Sequence, residues 1–274
     1  MKARAQFQAP KRVKLRDEDA RATPLRDEKS AKGDVKTRER EATTELTARI
    51  AEIQEMLYAQ RKHKLLLVLQ GMDTSGKDGT VRALFRQINP MGLRGVQFKA
   101  PSEEELAHDF LWRVHRQVPA RGEVAIFNRS HYEDVLVPLV HGTIDEQECK
   151  RRYAQIRDFE RMLAETGTVI VKLFLHISKD EQRKRLQERI DEPDKQWKFD
   201  RNDIAQRECW DQYQRAYEHA IMATDAPHAP WYLIPADSKT HRNLIISTLL
   251  LEIMAALKLS FPESDPALST LVIE

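Results

Sequence analysis

Lys64-Leu-Leu-Leu-Val-Leu-Gln70, followed directly by Gly71-Met-Asp-Thr-Ser-Gly76-Lys77-Asp-Gly-Thr80, is the stretch on which the fold turns. Its first half is a short unbroken apolar run closed by a glycine, the form of a strand buried on both faces. Its second half is GxxxxGK, placed between that strand and a segment, Gly79 to Ile88, that reads as helix. This order makes a phosphate-binding loop. Glycines let backbone N–H groups turn inward, the helix N-terminus adds positive potential, and the Lys77 ammonium meets phosphate oxygens. The position after the lysine is Asp78, where a Ser or Thr normally offers magnesium a hydroxyl. Another group must then hold a metal. Asp73 is the candidate, because a carboxylate among phosphate-binding amides repels the ligand unless a divalent cation lies between them.

Outward from the loop, strands and helices alternate. Gly95 to Ala100 reads as strand, and Ser102 with Glu105 forms a capping box for a helix through Arg116. Val124 to Asn128 is a second buried strand, and Ile144 to Glu165 a helix. Val169 to Ile177 is the strongest strand signal, and Ser178 with Glu181 caps the helix after it, to about Ile190. A helix from about Asn202 to Thr224, a strand at Trp231 to Ile234 and a helix from Lys239 to Leu257 complete the pattern. It predicts an α/β fold: a P-loop kinase-like three-layer αβα sandwich with a five-stranded parallel sheet and a helical lid at about 183–200.

Residues 1–42 carry charge of both signs with few apolar positions. They read as a charged N-terminal extension, either a solvated arm or one that holds a polyanion or touches another subunit. Apolar residues at Leu46, Ile50, Ile53, Met56 and Leu57 predict an amphipathic helix from Thr43 to Tyr58. The kinase domain then spans 43–262, with a tail at 263–274. At 274 residues, 41% hydrophobic, the chain supports one sizeable core. Lys plus Arg at 45 against Asp plus Glu at 43 leaves a net charge of +2, so any basic field comes from local clustering. The two cysteines, Cys149 and Cys209, fit neither a disulfide framework nor a zinc site. With no apolar leader or membrane-length segment, the expected compartment is the cytoplasm, with no membrane partner.

Two further clusters carry chemistry. Ile126-Phe-Asn-Arg-Ser-His-Tyr-Glu-Asp134 begins at the carboxyl end of a strand, where open parallel sheets place their sites. Asn128 and Glu133 offer oxygen ligands and Arg129 a fork for phosphate. Gln182-Arg-Lys-Arg-Leu-Gln-Glu-Arg189, with Gln196-Trp-Lys198 beyond Pro193, reads either as a solvated helical face or as a lid whose arginines close over a transferred phosphoryl group. Arg82, Arg86, Arg113 and Arg116 read either as ordinary helix-surface arginines or as the lining of a basic groove, and Trp197, Tyr132 and Phe199 either as core or as a sandwich for a base.

At these residues the sequence resembles the polyphosphate kinase 2 family. GMDTSGKDGT (71–80) and FNRSHYEDV from Phe127 carry the resemblance, with RLQER (185–189), QWKF (196–199) and APWYLIPA (229–236), over about Lys64 to Leu257. NRSHYED is similar to the class III branch, which implies phosphorylation of both AMP and ADP. The resemblance implies phosphate contact by Lys77, Arg129 and Arg189, metal and phosphate ordering by Asp73, and acceptor tuning by Asn128 and Glu133. Asn128 departs from the Asp of the class I branch. The expected binding set is Gly71, Thr74, Ser75, Gly76, Asp78, Gly79, Thr80, Arg82, Asn128, Glu133 and Lys198. The expected catalytic set is Asp73, Lys77, Arg129 and Arg189, with Asp73 on the metal. Mg2+, with Mn2+ as a substitute, is the implied cofactor; inorganic polyphosphate and adenine nucleotides are the implied partners, in a homo-oligomer, dimer or tetramer. Two rivals stand beside this reading: an ATP-dependent nucleoside or nucleotide kinase, against which Asp78 speaks, and a non-catalytic nucleotide- or RNA-binding protein. The chain lacks RRM, KH and zinc-finger patterns, so no nucleic-acid partner is expected.

Overall fold

The run Leu65 to Leu69 becomes the middle of a sheet. In the computed structural model, which describes residues 2–26, 32–266 and 271–273, five strands form it. They are β1 (Lys64–Gln70), β2 (Leu93–Gln97), β3 (Val124–Asn128), β4 (Thr168–His176) and β5 (Trp231–Pro235). All run parallel, in the order β2-β3-β1-β4-β5. Alternate residues of β1 enter opposite cores, as a two-residue period requires. Leu66 and Val68 pack with Ala125, Phe127, Ile170 and Phe174 beneath the helices Glu133–Val140, Glu146–Glu165 and Trp210–Thr224. Leu65, Leu67 and Leu69 pack with Ile126, Val171 and Leu173 beneath the helices Lys32–Gln60, Lys77–Leu84 and Lys239–Ala255. The predicted three-layer αβα sandwich is therefore the fold. Among the described residues, no helix is long and apolar enough to cross a membrane.

Several elements differ from their sequence expectation. The capping box at Ser102 and Glu105 forms, but its helix stops at Leu106 and a separate turn of helix covers Trp112–His115. Asp109 Oδ1 accepts from the Leu111 N–H at 3.0 Å, a local turn that competes with helical bonding. The expected helix from Asn202 to Thr224 divides at Cys209 into Asn202–Glu208 and Trp210–Thr224. That break lets Trp210 enter the core while Asp203 and Gln206 face a cavity.

The lead-in helix begins at Lys32, not Thr43, so the boundary placed at residue 42 falls inside it. Residues 32–42 read as solvated because their anchor is polar. Glu39 is buried, ion-paired with Arg26 at 3.0 Å and bonded to Thr240 and to His241 Nδ1, at 2.7 Å for the histidine. The described part of the extension lies along the core. Phe7, Ala9, Val13 and Ala20 are buried, Gln8 bridges Tyr232 antiparallel, and Ala9 N–H donates to Trp231 O at 2.9 Å, covering the free edge of β5. Residues 27–31 of the extension, and 267–270 and 274 of the expected tail, lie outside the described residues.

Candidate active site

β1 ends at Gln70, and the loop after it turns on two glycines. Gly71 has φ +146°, and a Cβ there would meet Leu175 O at 2.6 Å; Gly76 has φ +98° and caps the helix Lys77–Leu84. Thr74, at φ +62°, holds a left-handed conformation without being glycine. Lys77 is buried, and its Nζ donates to Gly71 O at 2.6 Å and Met72 O at 3.2 Å, folding back over the loop. Burial, reinforced by the nearby Arg129 charge, lowers the Lys77 pKa to about 8, against the opposing pull of Asp73, Glu133 and Asp78.

β3 lies beside β1 in register, Leu69 opposite Asn128, so the NRSHYED tract emerges next to the loop. Arg129 turns there at φ +63°, its N–H donating to Leu69 O at 3.1 Å. Its Nη2 donates to Asp73 Oδ1 at 2.6 Å, and its Nη1 stands 3.7 Å from Glu133 Oε2. Burial works against the Arg129 charge, and Glu133 and Asp73 more than restore it. Burial also pushes the Glu133 carboxyl up, moderated by Arg129 and Lys77. With the Gln70 amide nitrogen toward Glu133 it donates to Oε1 at 2.9 Å, while its oxygen accepts from Ser130 N–H.

Gly71, Asp73, Arg129 and Glu133 line one side of a cavity of about 1070 Å³. Its other walls include Phe98, Val137, Pro138, Ile144, Tyr213 and Tyr217, an apolar enclosure of the kind that seats a ring system beside a charged rim. Asp203 joins the acidic side of this cavity and was not foreseen; burial, and then the Asp73 charge, raise its carboxyl. It lay hidden in a segment read only as helix.

Other expected residues sit elsewhere. Arg189 does not line the cavity: its Nη1 donates to Asp203 Oδ2 and to Lys198 O, both at 3.2 Å, so it reaches the site through Asp203. Lys198 places its ammonium 5.0 Å over the Trp197 ring. Arg82, Asp78 and Asn128 line a separate cleft of about 290 Å³, where Asn128 donates to Asp78 Oδ1 and links the loop helix to β3. The hydroxyls of Thr74, Ser75 and Thr80 are buried with no hydrogen-bond partner among the described residues, and Gly79 lies in the first turn of the loop helix.

Packing decides three readings. Arg113 is buried in the wall of the large cavity with its charge committed to Asp134 at 2.9 Å and to Lys99 O at 2.8 Å, so it stands there as half of an ion pair. Of the two aromatic readings Tyr132 takes the core one, bonded to Glu160 and Thr224, whereas Trp197 is not core and stands 78% exposed. Arg185, grouped with the lid arginines, points inward: it donates to Thr74 O at 2.9 Å and Asp237 O at 2.7 Å, and it pairs with Glu181 at 2.8 Å. Arg242, which carried no sequence signal, joins it behind the loop with a bond to Ser75 O at 3.1 Å.

A glycine-turned loop between a parallel strand and a helix, with Lys77 folded against its carbonyls and an arginine and carboxylates facing one large cavity, defines a P-loop phosphotransferase. The family model of polyphosphate kinase 2 matches residues 32–261. The chain belongs to that family and is an enzyme, a polyphosphate-dependent nucleotide kinase. It is 53% identical over 234 residues to the AMP/ADP-polyphosphate phosphotransferase of Meiothermus ruber, covering 85% of this chain and 88% of the relative. It is 46% identical over 231 residues to the ADP-polyphosphate phosphotransferase of Rhodopseudomonas palustris, covering 80% of each. The crystal structure of polyphosphate kinase 2 from Arthrobacter aurescens TC1 superposes with a TM-score of 0.92 at 42% identity, over 98% of this chain and 95% of that one.

Proposed function

We propose that this chain transfers phosphoryl groups between inorganic polyphosphate and AMP or ADP, forming ADP and ATP. The observation that carries the reading is the meeting of Asp73, Arg129 and Glu133 on the wall of the large cavity, with the Lys77 ammonium folded against the carbonyls of Gly71 and Met72, two residues of the same wall.

The acceptor's terminal phosphate oxygen attacks the end phosphorus of the polyphosphate chain, and the bond from that phosphorus to the rest of the chain breaks. The chain leaves one unit shorter, carrying the electron pair on its new terminal oxygen. The attacking oxygen is already an anion near neutral pH, so no general base is required, and no histidine is assigned one. The protein's task is positioning and charge neutralisation. Lys77 swings from the Gly71 and Met72 carbonyls to phosphate oxygens, and Arg129 exchanges part of its bond to Asp73 for the transferred group. Arg189, released from Asp203 as the lid closes, approaches from the opposite side.

Among the described residues, no three His, Cys, Asp or Glu side chains converge on one point. That suits Mg2+, which commonly takes one or two carboxylates and completes its shell with substrate phosphates and water. Asp73 would hold the ion in this reading, and the ion would supply positive charge to crowded phosphate oxygens. Asn128 and Glu133 tune the acceptor, and the assembly is a dimer or tetramer, to be read from light scattering after size exclusion.

Nucleotide chromatography tests the function. Purified protein with Mg2+ and AMP or ADP receives either polyphosphate or ATP as the only donor. ADP and ATP formed from AMP and polyphosphate alone support the reading, and product with ATP alone would replace it with an ordinary nucleotide kinase.

A further inference from the structure

Behind the phosphate loop, on the side away from the cavity, two arginines meet at one carbonyl. Arg185 Nη1 lies 3.4 Å from Ser75 O, and Arg242 Nη1 lies 3.1 Å from it. Their surroundings differ. Arg185 has a carboxylate, Glu181, and spreads its other donors over Thr74, Ala236 and Asp237 carbonyls. Arg242 is 2% exposed, and its acceptors are all neutral: Ser75 O, and Asn243 Oδ1 at 3.2 and 2.9 Å from Nε and Nη2. Among the described residues it has no carboxylate partner.

The guanidinium also fills the place of a side chain at Gly76, where an added Cβ would stand 1.9 Å from Arg242 Nη1. It therefore rests against the loop itself. In a trans peptide the carbonyl and the following N–H point to opposite sides. Holding Ser75 O outward turns the Gly76 N–H toward the cradle, where it has no backbone acceptor among the described residues. A buried cation without a counterion is unfavourable, and a polyanion on the other side of so thin a loop relieves it.

We propose that Arg242 is a positioning residue of the phosphate site, aiming the Gly76 N–H through the Ser75 carbonyl and supplying a buried positive charge whose counterion is the bound phosphate chain. The proposal rests on reading this loop as the polyphosphate site. It implies that the charge costs the unliganded chain stability and returns it on binding. Burial, and then Arg185, lower the Arg242 pKa to about 9, in keeping with an uncompensated cation.

The test compares wild type, Arg242→Gln and Arg242→Lys. Calorimetric titration with inorganic tripolyphosphate in Mg2+ gives affinity, and thermal unfolding without ligand gives stability. Arg242→Gln is expected to weaken tripolyphosphate binding on the order of tenfold, the loss of one charged hydrogen-bonding partner, while the unliganded midpoint stays or rises. Arg242→Lys, which keeps the charge, is expected to bind within a few-fold of wild type. A Gln variant that binds normally, or that loses its fold without ligand, overturns the proposal, as does a Lys variant as weak as Gln. If wild type itself fails to bind tripolyphosphate, the reading of the loop falls and takes the proposal with it.

Discussion

Lys172→Met tests whether the tract carrying Arg129 is held from behind by buried charge. Lys172 on β4 is fully buried, and its ammonium donates to Glu160 Oε2 at 2.6 Å, Tyr132 OH at 3.0 Å and Thr224 O at 2.8 Å. Glu160 is equally buried and also takes Tyr132 OH at 2.8 Å, with His131 Nε2 at 3.3 Å. His131 and Tyr132 follow Arg129 by two and three residues, so the network anchors the turn that aims the arginine. Methionine fills most of the lysine's volume, which confines the change to charge. Glu160 is then left with an uncompensated buried carboxylate, a situation that costs about 3–5 kcal/mol. At about 2–4 °C per kcal/mol for a domain of this size, the thermal midpoint should fall by roughly 6–20 °C. Calorimetry on Lys172→Met, Glu160→Gln and the double variant measures the coupling. The double variant should be more stable than Lys172→Met, because replacing both charges removes the unpaired one. A Lys172→Met midpoint within about 2 °C of wild type would refute the reasoning.

Three further outcomes are expected. Lys77 titrates near pH 8 in the free protein, so its cation is lost as pH rises through that value. The KM for polyphosphate should therefore climb above pH 8, and a flat KM from pH 7 to 9.5 would dissociate Lys77 from the donor. Because that pKa lies below the lysine's unfolded value, the burial cost is present at pH 7 and relieved as pH rises past 8. Arg113→Ala leaves the part-buried Asp134 without its partner, so it should cost about 1–3 kcal/mol in denaturant unfolding. The salt dependence of the polyphosphate KM should remain unchanged; a shallower slope would restore Arg113 to a groove. Gly71→Ala would press a Cβ against Leu175 O at 2.6 Å in a backbone conformation foreign to alanine. Strain of about 1–3 kcal/mol or more should appear in its thermal midpoint, with lost turnover, and wild-type behaviour in both would contradict the loop geometry.

The parts of the fold legible in the sequence are those whose causes are local. The apolar run from Leu65 to Leu69, the caps at Ser102 and Ser178, and the glycines at 71 and 76 each state their conformation within a few residues. Hence the sheet, the loop and the approach of the NRSHYED tract to it at a neighbouring strand end could be expected from sequence, and the pairing of Arg129 with Asp73 could not. The extent of the first helix could not, because its buried anchor, Glu39, is satisfied by Thr240 and His241 from the far end of the chain.

The same limit governs the arginines. In sequence, Arg113, Arg185, Arg189 and Arg242 are equivalent: long, charged and helical. In the structure, Arg189 holds an acid at the cavity rim, Arg113 pairs inside a wall, and Arg185 and Arg242 brace the back of the loop. Sequence alone determined the glycine-turned loop between β1 and its helix, since that depends on glycine freedom and a helix terminus. Only tertiary structure decided which cations stand around that loop, because a charged side chain can be buried only where partners distant in sequence are brought to meet it.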